Sequence, residues 1–375
     1  MVFKFELLHQ SKRSAARVGR IHTENGIIDT PNFVPVATNA AIKAVDSHCV
    51  NQHDCQLLFC NTYHLALHPG GEIIEKAGGL HRFMGRKGAI ITDSGGFQVF
   101  SLAYGSVANE LKSKGLKSHA NMVLKIDEEG VSFRSYRDGA IFSLTPERSV
   151  ALQKQLGADI IIPFDELPPF HCDPKALVES LHRTHRWQMR SLKTHLSNTA
   201  KQAMYGVVHG GVENELRKQS ASYLSNQAFD GFAIGGSLGK NTRDILQVLD
   251  ASCPYLPREK PRHLLGIADI PSIEQSLSRG IDTFDSCYPT RLARHGVLIT
   301  GQGRLKITSG KYKQDFDSID KQCPCWCCQH YSRAYLHHLF KAKEPSAQSL
   351  ATIHNLQAMA THMQHLRQAI LADEI

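Results

Sequence analysis

The sequence has no apolar run long enough to cross a membrane. A spanning helix needs about 20 consecutive apolar residues, and no stretch of the 375-residue chain approaches that length. The N-terminal segment MVFKFELLHQSKR also lacks an apolar signal core followed by a small-residue cleavage site. We therefore expect neither a membrane-spanning nor a secreted protein, and we expect it in the cytoplasm.

Internal repeats and low-complexity linkers are absent as well, which excludes a solenoid of stacked repeats. The hydrophobic content of 42% and the charged content of 21% are those of an ordinary globular protein. The chain is long enough for one large domain with an appendage, or for two domains. Its formal net charge of +8 suits a polyanionic partner such as RNA, although many enzymes are as basic.

The chain alternates short apolar runs with helical or loop segments. Eight such runs are Phe33–Val36, Leu57–Cys60, Ala89–Thr92, Asp159–Ile162, Met204–Val208, Phe232–Ile234, His263–Leu265 and Thr283–Phe284. This pattern predicts the α/β class and a (β/α)8 barrel over residues 31–295, after an N-terminal β-hairpin element in residues 1–30. A doubly wound sheet would show similar alternation and is the alternative.

Helical segments lie between several of these runs. Thr145-Pro146 is an N-cap followed by proline at the first helical position, and it predicts a helix over Thr145–Leu156. Further predicted helices are Ala176–Leu196, Glu213–Ser225, Thr242–Ala251, Tyr331–Phe340 and about 346–372. We also expect a strand at Val131–Tyr136, alternating strands in Gly296–Ile307, and an exposed loop over Gly105–Ala120.

Four of the ten cysteines crowd into the stretch KQCPCWCC. The C-x-C-x2-C spacing and a downstream histidine give four candidate metal ligands: Cys323, Cys325, Cys328 and His354. Three thiolates and one imidazole form a tetrahedral zinc set with every position filled by protein, which is typical of a structural site. Cys327 is an alternative to Cys328 as a ligand, and His337-His338 are an alternative to His354. The remaining alternative to a metal site is a chance cluster of free thiols. We expect one structural Zn²⁺ in a subdomain of residues 296–375, whose last helix completes the barrel.

Three acids follow apolar runs at predicted strand ends: Asp93, Asp165 and Asp285. Taken singly, such an acid is more often a helix cap or an ion-pair partner than a catalyst. In a barrel, however, strand C-termini converge on one face, so these acids would share a pocket and divide the roles of nucleophile, acid/base and ligand binder. Gly95-Gly96 let the backbone approach a flat ligand. Phe97 is a candidate to stack on that ligand, although a lone Phe is more often part of the core.

The stretch TFDSCYPTRLAR carries the third of these acids, Asp285. Pro289 is expected to stop regular structure after the strand. Arg291 and Arg294 then fall on one side of a turn or helix start and form a candidate phosphate clamp. The simpler interpretation is that Asp285 pairs with these arginines.

Motifs along nearly the whole chain resemble those of tRNA-guanine transglycosylases, the queuine tRNA-ribosyltransferase family. They occur in the expected order and are NTYHLALHPG, TDSGGFQVFSL, LTPERS, FDE, AIGGS, FDSCYPTRLARHG, SRAYLHHL and TIHNL. The resemblance implies a (β/α)8 barrel with a zinc subdomain inserted near its end, and a homodimer that acts on tRNA. It also implies exchange of guanine at the wobble position of GUN-anticodon tRNAs (Asp, Asn, His, Tyr) for a 7-deazaguanine base.

By this resemblance, Asp285 matches the family's nucleophile and Asp93 its general acid/base. Two displacements at C1′ would retain configuration, as in retaining glycosidases. Arg291 and Arg294 match residues that hold the anticodon. The positions that match base-binding residues are Phe97, Asp165, His209, Gly235, Gly236, Gly239 and Leu265.

Five positions depart from the family's bacterial pattern. His209 stands where members usually have Gln; it can still donate one hydrogen bond, with other geometry and a titratable charge. Gly239, Asn241 and Leu167 replace Val, Glu and Cys. Losing the Val would open space beside the 7-position of the base, and losing the Glu would remove a partner for an aminomethyl cation. We therefore expect queuine rather than 7-aminomethyl-7-deazaguanine (preQ1). Asp269 replaces a Lys, so one anticodon contact is lost or altered.

Several other functions are weighed against this one. The nearest is the same exchange with the aminomethyl base. An archaeal relative modifies another tRNA position but carries an extra C-terminal RNA-binding region that is not in this sequence. A non-catalytic tRNA-binding partner subunit would be expected to lose the nucleophile, whereas Asp93 and Asp285 are both present. A zinc hydrolase needs an open metal position, which a filled Cys3His set does not offer.

Overall fold

The structure is a computed structural model that describes residues 3–106, 109–111, 122–198 and 201–375. Most of the predicted loop Gly105–Ala120 lies outside the described residues. The strands, numbered along the chain, are β1 (Lys4–Gln10), β2 (Arg17–Thr23), β3 (Gly26–Thr30), β4 (Asn32–Pro35), β5 (Leu57–Cys60), β6 (Ala89–Thr92), β7 (Val123–Ile126), β8 (Val131–Arg134), β9 (Ile141–Leu144), β10 (Ile160–Ile161), β11 (Ala203–Val208), β12 (Gly231–Ile234), β13 (Arg262–Leu264), β14 (Thr283–Ser286), β15 (Val297–Thr300) and β16 (Gly303–Lys306).

Helices connect most of these strands. They span Ser47–Gln52, Thr62–Leu67, Gly71–Lys76, Gly79–Met84, Gly96–Tyr104, Pro146–Leu156, Pro174–Leu196, Asn214–Ser225, Thr242–Ser252, Ile270–Leu277, Tyr288–Arg294, Trp326–His330, Arg333–Ala342 and Pro345–Leu371. The predicted long helices agree with these to within a turn. In the part of the chain that the structure describes, no helix is long and apolar enough to cross a membrane.

Eight parallel strands form the barrel in the order β4, β5, β6, β10, β11, β12, β13, β14. β14 pairs with β4 from Thr283↔Asn32 to Ser286↔Pro35, and Val36 bridges to Phe59 of β5, which closes the ring. Each strand is a short apolar run because side chains fill the interior on one face and helices cover the other. The predicted barrel is confirmed, and the doubly wound alternative is wrong.

The crossover between β6 and β10 contains a small antiparallel sheet, β7–β8–β9. The alternating pattern predicted only its middle strand. The outer strands, VLKI and IFSL, are four residues each and largely exposed, so they carry no clear alternation of buried and exposed positions. This sheet packs Phe133 against Tyr63 of the helix Thr62–Leu67, which follows β5, and the two ring centroids lie 5.1 Å apart.

The N-terminal sheet β1–β2–β3 covers the end of the barrel at which the strands begin. Arg17 of β2 forms a buried bidentate pair with Asp282, through Nε to Oδ1 at 2.9 Å and Nη2 to Oδ2 at 2.6 Å. Both side chains are almost completely buried. Because Asp282 directly precedes β14, this pair anchors the strand that carries Asp285 at its opposite end.

The region after β14 packs against the outside of the barrel beside β4. The predicted Gly296–Ile307 hairpin is confirmed as β15–β16. Pro289 does not end regular structure: it lies in the first turn of the helix Tyr288–Arg294, where a missing N–H costs nothing. The C-terminal helix Pro345–Leu371 packs against that helix, β15 and β4.

Candidate active site

The three acids singled out in the sequence lie at the C-terminal ends of barrel strands. Asp93 directly follows β6, Asp285 lies within the second half of β14, and Asp165 follows β10 after a short extended segment. The charges of Asp165 and Asp285 both raise the pKa of Asp93. The carboxylates of Asp165 and Asp285 therefore both lie within electrostatic reach of Asp93, at the same end of the barrel.

Asp93 is partly buried and is held by residues that follow β5. Thr62 donates its backbone N–H to Oδ1 at 2.7 Å, and Asn61 donates its amide N–H to Oδ2. The Thr62 hydroxyl donates to the backbone carbonyl of Asp93 at 2.6 Å. Burial nevertheless raises the pKa of Asp93 to about 7, because desolvation of the charged form outweighs these hydrogen bonds and the two nearby carboxylates add to it. Such a carboxyl exchanges a proton near neutral pH, as a general acid/base must.

Asp285 is held through one of its two oxygens. Oδ1 accepts the backbone N–H of Gly266 at 2.8 Å and contacts Nε2 of His263 at 3.1 Å. Among the described residues, none donates a hydrogen bond to Oδ2, so that oxygen is available to a ligand. Neither Arg291 nor Arg294 pairs with this carboxylate, and the simpler interpretation of the stretch is therefore wrong. Arg291 is exposed and Arg294 half-buried on the helix that follows.

Asp165 is held through both oxygens. Ser94 donates its hydroxyl to Oδ1 at 2.7 Å, and Nε2 of His209 lies 2.8 Å from Oδ2. The neighbouring acid, Glu166, pairs instead with Arg183 at 2.8 Å. His209 is almost fully buried and its other nitrogen, Nδ1, has no described hydrogen-bond partner. The histidine assigned to the base from the sequence therefore contacts Asp165 in this structure.

Arg217 is completely buried and, among the described residues, has no carboxylate partner. Its guanidinium donates to four backbone carbonyls at the end of β11 and in the segments that follow β11 and β12: Val208 at 2.8 Å, Gly211 at 2.7 Å, Gly235 at 2.8 Å and Ser237 at 2.9 Å. Complete burial lowers its pKa to about 9. This one side chain thus joins the loop of His209 to the loop of Gly235 and Gly236.

The glycines after β12 do not all leave open space. Gly236 has φ +74°, and a Cβ there would lie 2.9 Å from Nδ1 of His209, so the position suits glycine alone. Gly239 has φ +92°, and a Cβ there would overlap the Cβ of Asp244. The expectation that the missing side chain at Gly239 opens space is therefore wrong, because Asp244 fills it. Asn241 caps the helix Thr242–Ser252 by accepting the N–H of Asp244 at 3.1 Å.

The remaining predicted base and RNA contacts lie around the rim. Phe97 is 44% exposed in the first turn of the helix Gly96–Tyr104, with its ring centroid 5.9 Å from that of Phe100. Leu265 follows β13 and is partly buried. Asp269 is an N-cap whose Oδ1 accepts the N–H of Ser272 at 3.2 Å, so its carboxylate has a structural partner.

The four predicted metal ligands come together in the C-terminal region. The ligand atoms of Cys323, Cys325, Cys328 and His354 all lie within 4.8 Å of one another. His354 Nδ1 lies 3.7, 3.6 and 3.3 Å from the three sulfurs in that order. A tetrahedral zinc ion would separate sulfur and nitrogen ligands by roughly 3.5 Å, so the set fits Zn²⁺. His354 Nε2 donates to the carbonyl of Ile299 at 2.8 Å, which leaves Nδ1 free to bind the metal.

The alternatives for the metal ligands do not take part in this cluster. Cys327 is buried beside it but does not contribute its sulfur. His337 Nδ1 donates to the carbonyl of Ile307 at 2.8 Å. The cluster also contains none of the three pocket carboxylates.

Several residues of the pocket were missed in the sequence. They are Asn61, Thr62, Ser94, Arg217, His263 and Gly266. The one usable signal was a charged residue, Arg217, on the otherwise small and apolar buried face of the helix Asn214–Ser225. The others carry no local pattern, because their partners lie far along the chain.

Comparison with known proteins covers the full length of the sequence. A family model described as Queuine tRNA-ribosyltransferase matches residues 11–375. A Queuine tRNA-ribosyltransferase of Protochlamydia amoebophila is 60% identical over 373 residues, covering 100% of this chain and 96% of the relative. The proteins of the same name from Chlamydia caviae and Chlamydia muridarum are 54% and 55% identical over 376 residues, and both chains are covered completely.

Proposed function

Because the chain belongs to the queuine tRNA-ribosyltransferase family, we propose that it replaces guanine at the wobble position of GUN-anticodon tRNAs (Asp, Asn, His, Tyr) with a 7-deazaguanine base. The observation that carries this proposal is the pairing of two unlike carboxylates in one pocket. Asp93 has a pKa raised to about 7, while Asp285 has one oxygen held by two donors and the other free. Two such groups divide the work of a double displacement.

In the first displacement, Oδ2 of Asp285 attacks C1′ of the ribose. The C1′–N9 bond breaks, its electron pair passes to guanine, and the carboxyl of Asp93 supplies the proton that lets guanine leave as a neutral base. The product is a ribosyl ester of Asp285. The raised pKa of Asp93 keeps a substantial fraction of this carboxyl protonated near pH 7.

In the second displacement, the incoming base enters the space that guanine has left. Asp93, now ionised, removes the proton from N9 of that base, and N9 attacks C1′. The C1′–Oδ2 bond breaks and its electron pair returns to Asp285. Configuration at C1′ is retained because it is inverted twice.

Base recognition falls to the opposite side of the pocket. The carboxylate of Asp165 accepts the N–H groups on the donor edge of guanine; Ser94 and His209 occupy one position on each oxygen, which leaves further lone pairs for the base. The backbone of Gly235 and Gly236, beside Leu265 and the Gly239 loop, meets the base at its side, with Phe97 stacking on it. Arg291 and Arg294 hold the anticodon phosphates at the rim.

The C-terminal region has a structural part in this proposal. Residues 31–295 supply the chemistry, after a β element in residues 1–30. Residues 296–375 form a zinc subdomain whose last helix completes the barrel. Cys323, Cys325, Cys328 and His354 would hold one Zn²⁺, whose binding free energy stabilises the fold. We also propose a homodimer in the cytoplasm, where tRNA is available.

For the incoming base we propose queuine, with the aminomethyl base as the alternative. The space argument from Gly239 no longer supports this choice, because Asp244 occupies that position. What supports it is the lack of a carboxylate at Asn241, where an aminomethyl cation would need a partner, and the apolar side chain of Leu167.

Paired incorporation assays test the proposal. A tRNA with guanine at the wobble position is incubated with queuine or with the aminomethyl base, and Asp285→Ala serves as the control. The proposed activity predicts incorporation by the wild-type protein alone, with queuine preferred. Incorporation of neither base would contradict the activity, whereas preference for the aminomethyl base would contradict only the choice of substrate.

A further inference from the structure

A buried histidine, His263, connects the proposed nucleophile to a hydroxyl behind it. Its ring is completely buried in β13 and lies between two side chains of β14. Nε2 lies 3.1 Å from Oδ1 of Asp285, and Nδ1 lies 2.8 Å from Oγ1 of Thr283. Strand pairing sets this arrangement, because His263 is opposite Thr283 in the parallel ladder.

The hydrogen positions follow from the chemistry of the partners. An ionised carboxylate only accepts hydrogen bonds, so Nε2 must carry a hydrogen toward Oδ1 of Asp285. The hydroxyl of Thr283 is then placed to donate to Nδ1. The ring is enclosed and stacks on Phe59 with ring centroids 6.0 Å apart.

We propose that His263, held by Thr283, is a positioning residue that keeps Oδ1 of Asp285 as the passive oxygen and stabilises this carboxylate when it departs. The inference rests on the proposed function of Asp285 as nucleophile. With Oδ1 held by His263 and by the N–H of Gly266, Oδ2 is the oxygen that bonds to C1′.

The two donors affect the two displacements differently. When the ester forms, the carboxylate loses its charge and Oδ1 becomes the ester carbonyl. When the C1′–Oδ2 bond breaks, the electron pair returns to the carboxylate, and donors already placed at Oδ1 stabilise the developing charge. Removing the donor of His263 should therefore slow discharge of the ribosyl ester more than its formation.

The experiment measures both displacements separately on the full-length protein. Labelled tRNA with guanine at the wobble position forms the ester, which is followed on denaturing gels; discharge is then started with added guanine, so the result does not depend on the choice of 7-deazaguanine base. His263→Phe keeps a ring against Phe59 but removes the donor. His263→Gln restores an N–H near the position of Nε2.

We expect His263→Phe to slow discharge by about tenfold to a hundredfold, the usual effect of losing a hydrogen bond to a charged group. The ester should accumulate, the KM for tRNA should stay unchanged, and His263→Gln should recover most of the rate. Discharge by His263→Phe at the wild-type rate, or slowed no more than formation, would overturn the proposal.

A second set of variants keeps the test decisive if His263→Phe does not fold. Thr283→Val is nearly isosteric and removes only the hydroxyl that fixes the ring, so it should slow discharge several-fold, while Thr283→Ser should behave as wild type. Thr30→Val, the same change at a buried threonine of β3 whose hydroxyl has no described partner, is the matched control and should have no effect.

Equal discharge rates in Thr283→Val and wild type would also overturn the proposal. Failure of the proposed function would look different. If the wild-type protein forms no ester, or Asp285→Asn forms one, the nucleophile assignment falls, and the role of His263 falls with it.

Discussion

Nε2 of His209 lies 2.8 Å from Oδ2 of Asp165, so a histidine and an aspartate that come from neighbouring strand ends form one unit. Ser94 holds the other oxygen of the same carboxylate at 2.7 Å. The carboxylate is thereby fixed in orientation, and we expect His209 to act on the base through Asp165.

Replacing His209 with glutamine or with leucine tests whether its hydrogen bond to Asp165, and not only the volume of its side chain, supports base binding. Glutamine can place an N–H near the position of Nε2, so His209→Gln should keep the KM for guanine within a few-fold of wild type. Leucine cannot donate, so His209→Leu should raise that KM by about tenfold or more, the usual effect of losing a hydrogen bond to a charged group. Guanine exchange kinetics at saturating tRNA check this, and an equal KM in the two variants would contradict it.

The raised pKa of Asp93 predicts that stability depends on pH. The folded state keeps this proton up to a pH of about 7, whereas the ordinary pKa of the group is 3.8. Between these values the folded state binds more protons than the unfolded state, so this group lowers stability progressively as the pH rises. Asp93→Asn cannot ionise, so its Tm relative to wild type should increase between about pH 4 and about pH 8.

Thermal unfolding of both proteins across this range provides the measurement. A Tm difference that is independent of pH would show that Asp93 ionises at an ordinary pKa. In the same variant, ester formation should be lost, because no proton is available for guanine. In the wild type, the rate of ester formation should fall as the pH rises through about 7.

The two adjacent cysteines of the C-terminal cluster provide a matched test of the metal set. Cys328 contributes its sulfur to the cluster, and Cys327 is buried next to it without contributing. Cys328→Ser should lose zinc and fold poorly, since metal binding and folding are coupled. Cys327→Ser should keep one zinc per chain.

Zinc content by metal analysis and Tm by calorimetry distinguish these variants. A chelator should leave the activity of folded protein intact until the metal is lost, when the protein unfolds. Zinc retained by Cys328→Ser and lost by Cys327→Ser would mean that the ligand assignment is wrong. Activity that disappears at once, with no change in Tm, would favour a catalytic metal.

From the hydrogen bonds of Arg217 we predict that this side chain supports both the stability of the fold and the affinity for the base. Its guanidinium donates to four carbonyls, one at the end of β11 and three in the loops that we propose to flank the base. Arg217→Met leaves these buried acceptors without donors, at a cost of about 1–3 kcal/mol for each one that stays unpaired. Arg217→Lys keeps the charge but has only three donors on one nitrogen, so it should fall between the wild type and the methionine variant.

The measurement is the pair of KM values, for base and for tRNA, together with the denaturation midpoint. We expect the KM for the base to rise while the KM for tRNA changes little, because Arg217 holds the loops after β11 and β12, which we propose to contact the base. Equal increases in both, in proportion to lost stability, would indicate a general effect on folding.

The architecture was predictable because barrel strands are short apolar runs, and six of the eight runs in this sequence are followed directly by a polar or glycine residue. Strands β7 and β9 were not predictable, since they lie on the surface and bury few side chains. Pro289 was misread because proline ends a helix only in its interior and is favoured in the first turn.

The site was predictable where a reactive residue type occurs at a recognisable position in the sequence, as with the acids at strand ends and the cysteine spacing. The site was not predictable where the role of a residue depends on a partner from another part of the chain. His263 lies within a strand and its partner Asp285 comes from the next strand, so no local pattern links the two. Likewise, only the structure reveals that Asp244 fills the space beside Gly239.

The most direct measurement of the central claim is covalent trapping of tRNA on Asp285. Labelled tRNA with guanine at the wobble position is incubated with wild type or Asp285→Asn, and a tRNA with adenine there is the control. We predict a denaturation-resistant adduct and exchange of labelled guanine with wild type alone, although Asp285→Asn still binds tRNA. An adduct on Asp285→Asn, or guanine exchange by that variant, would contradict the account.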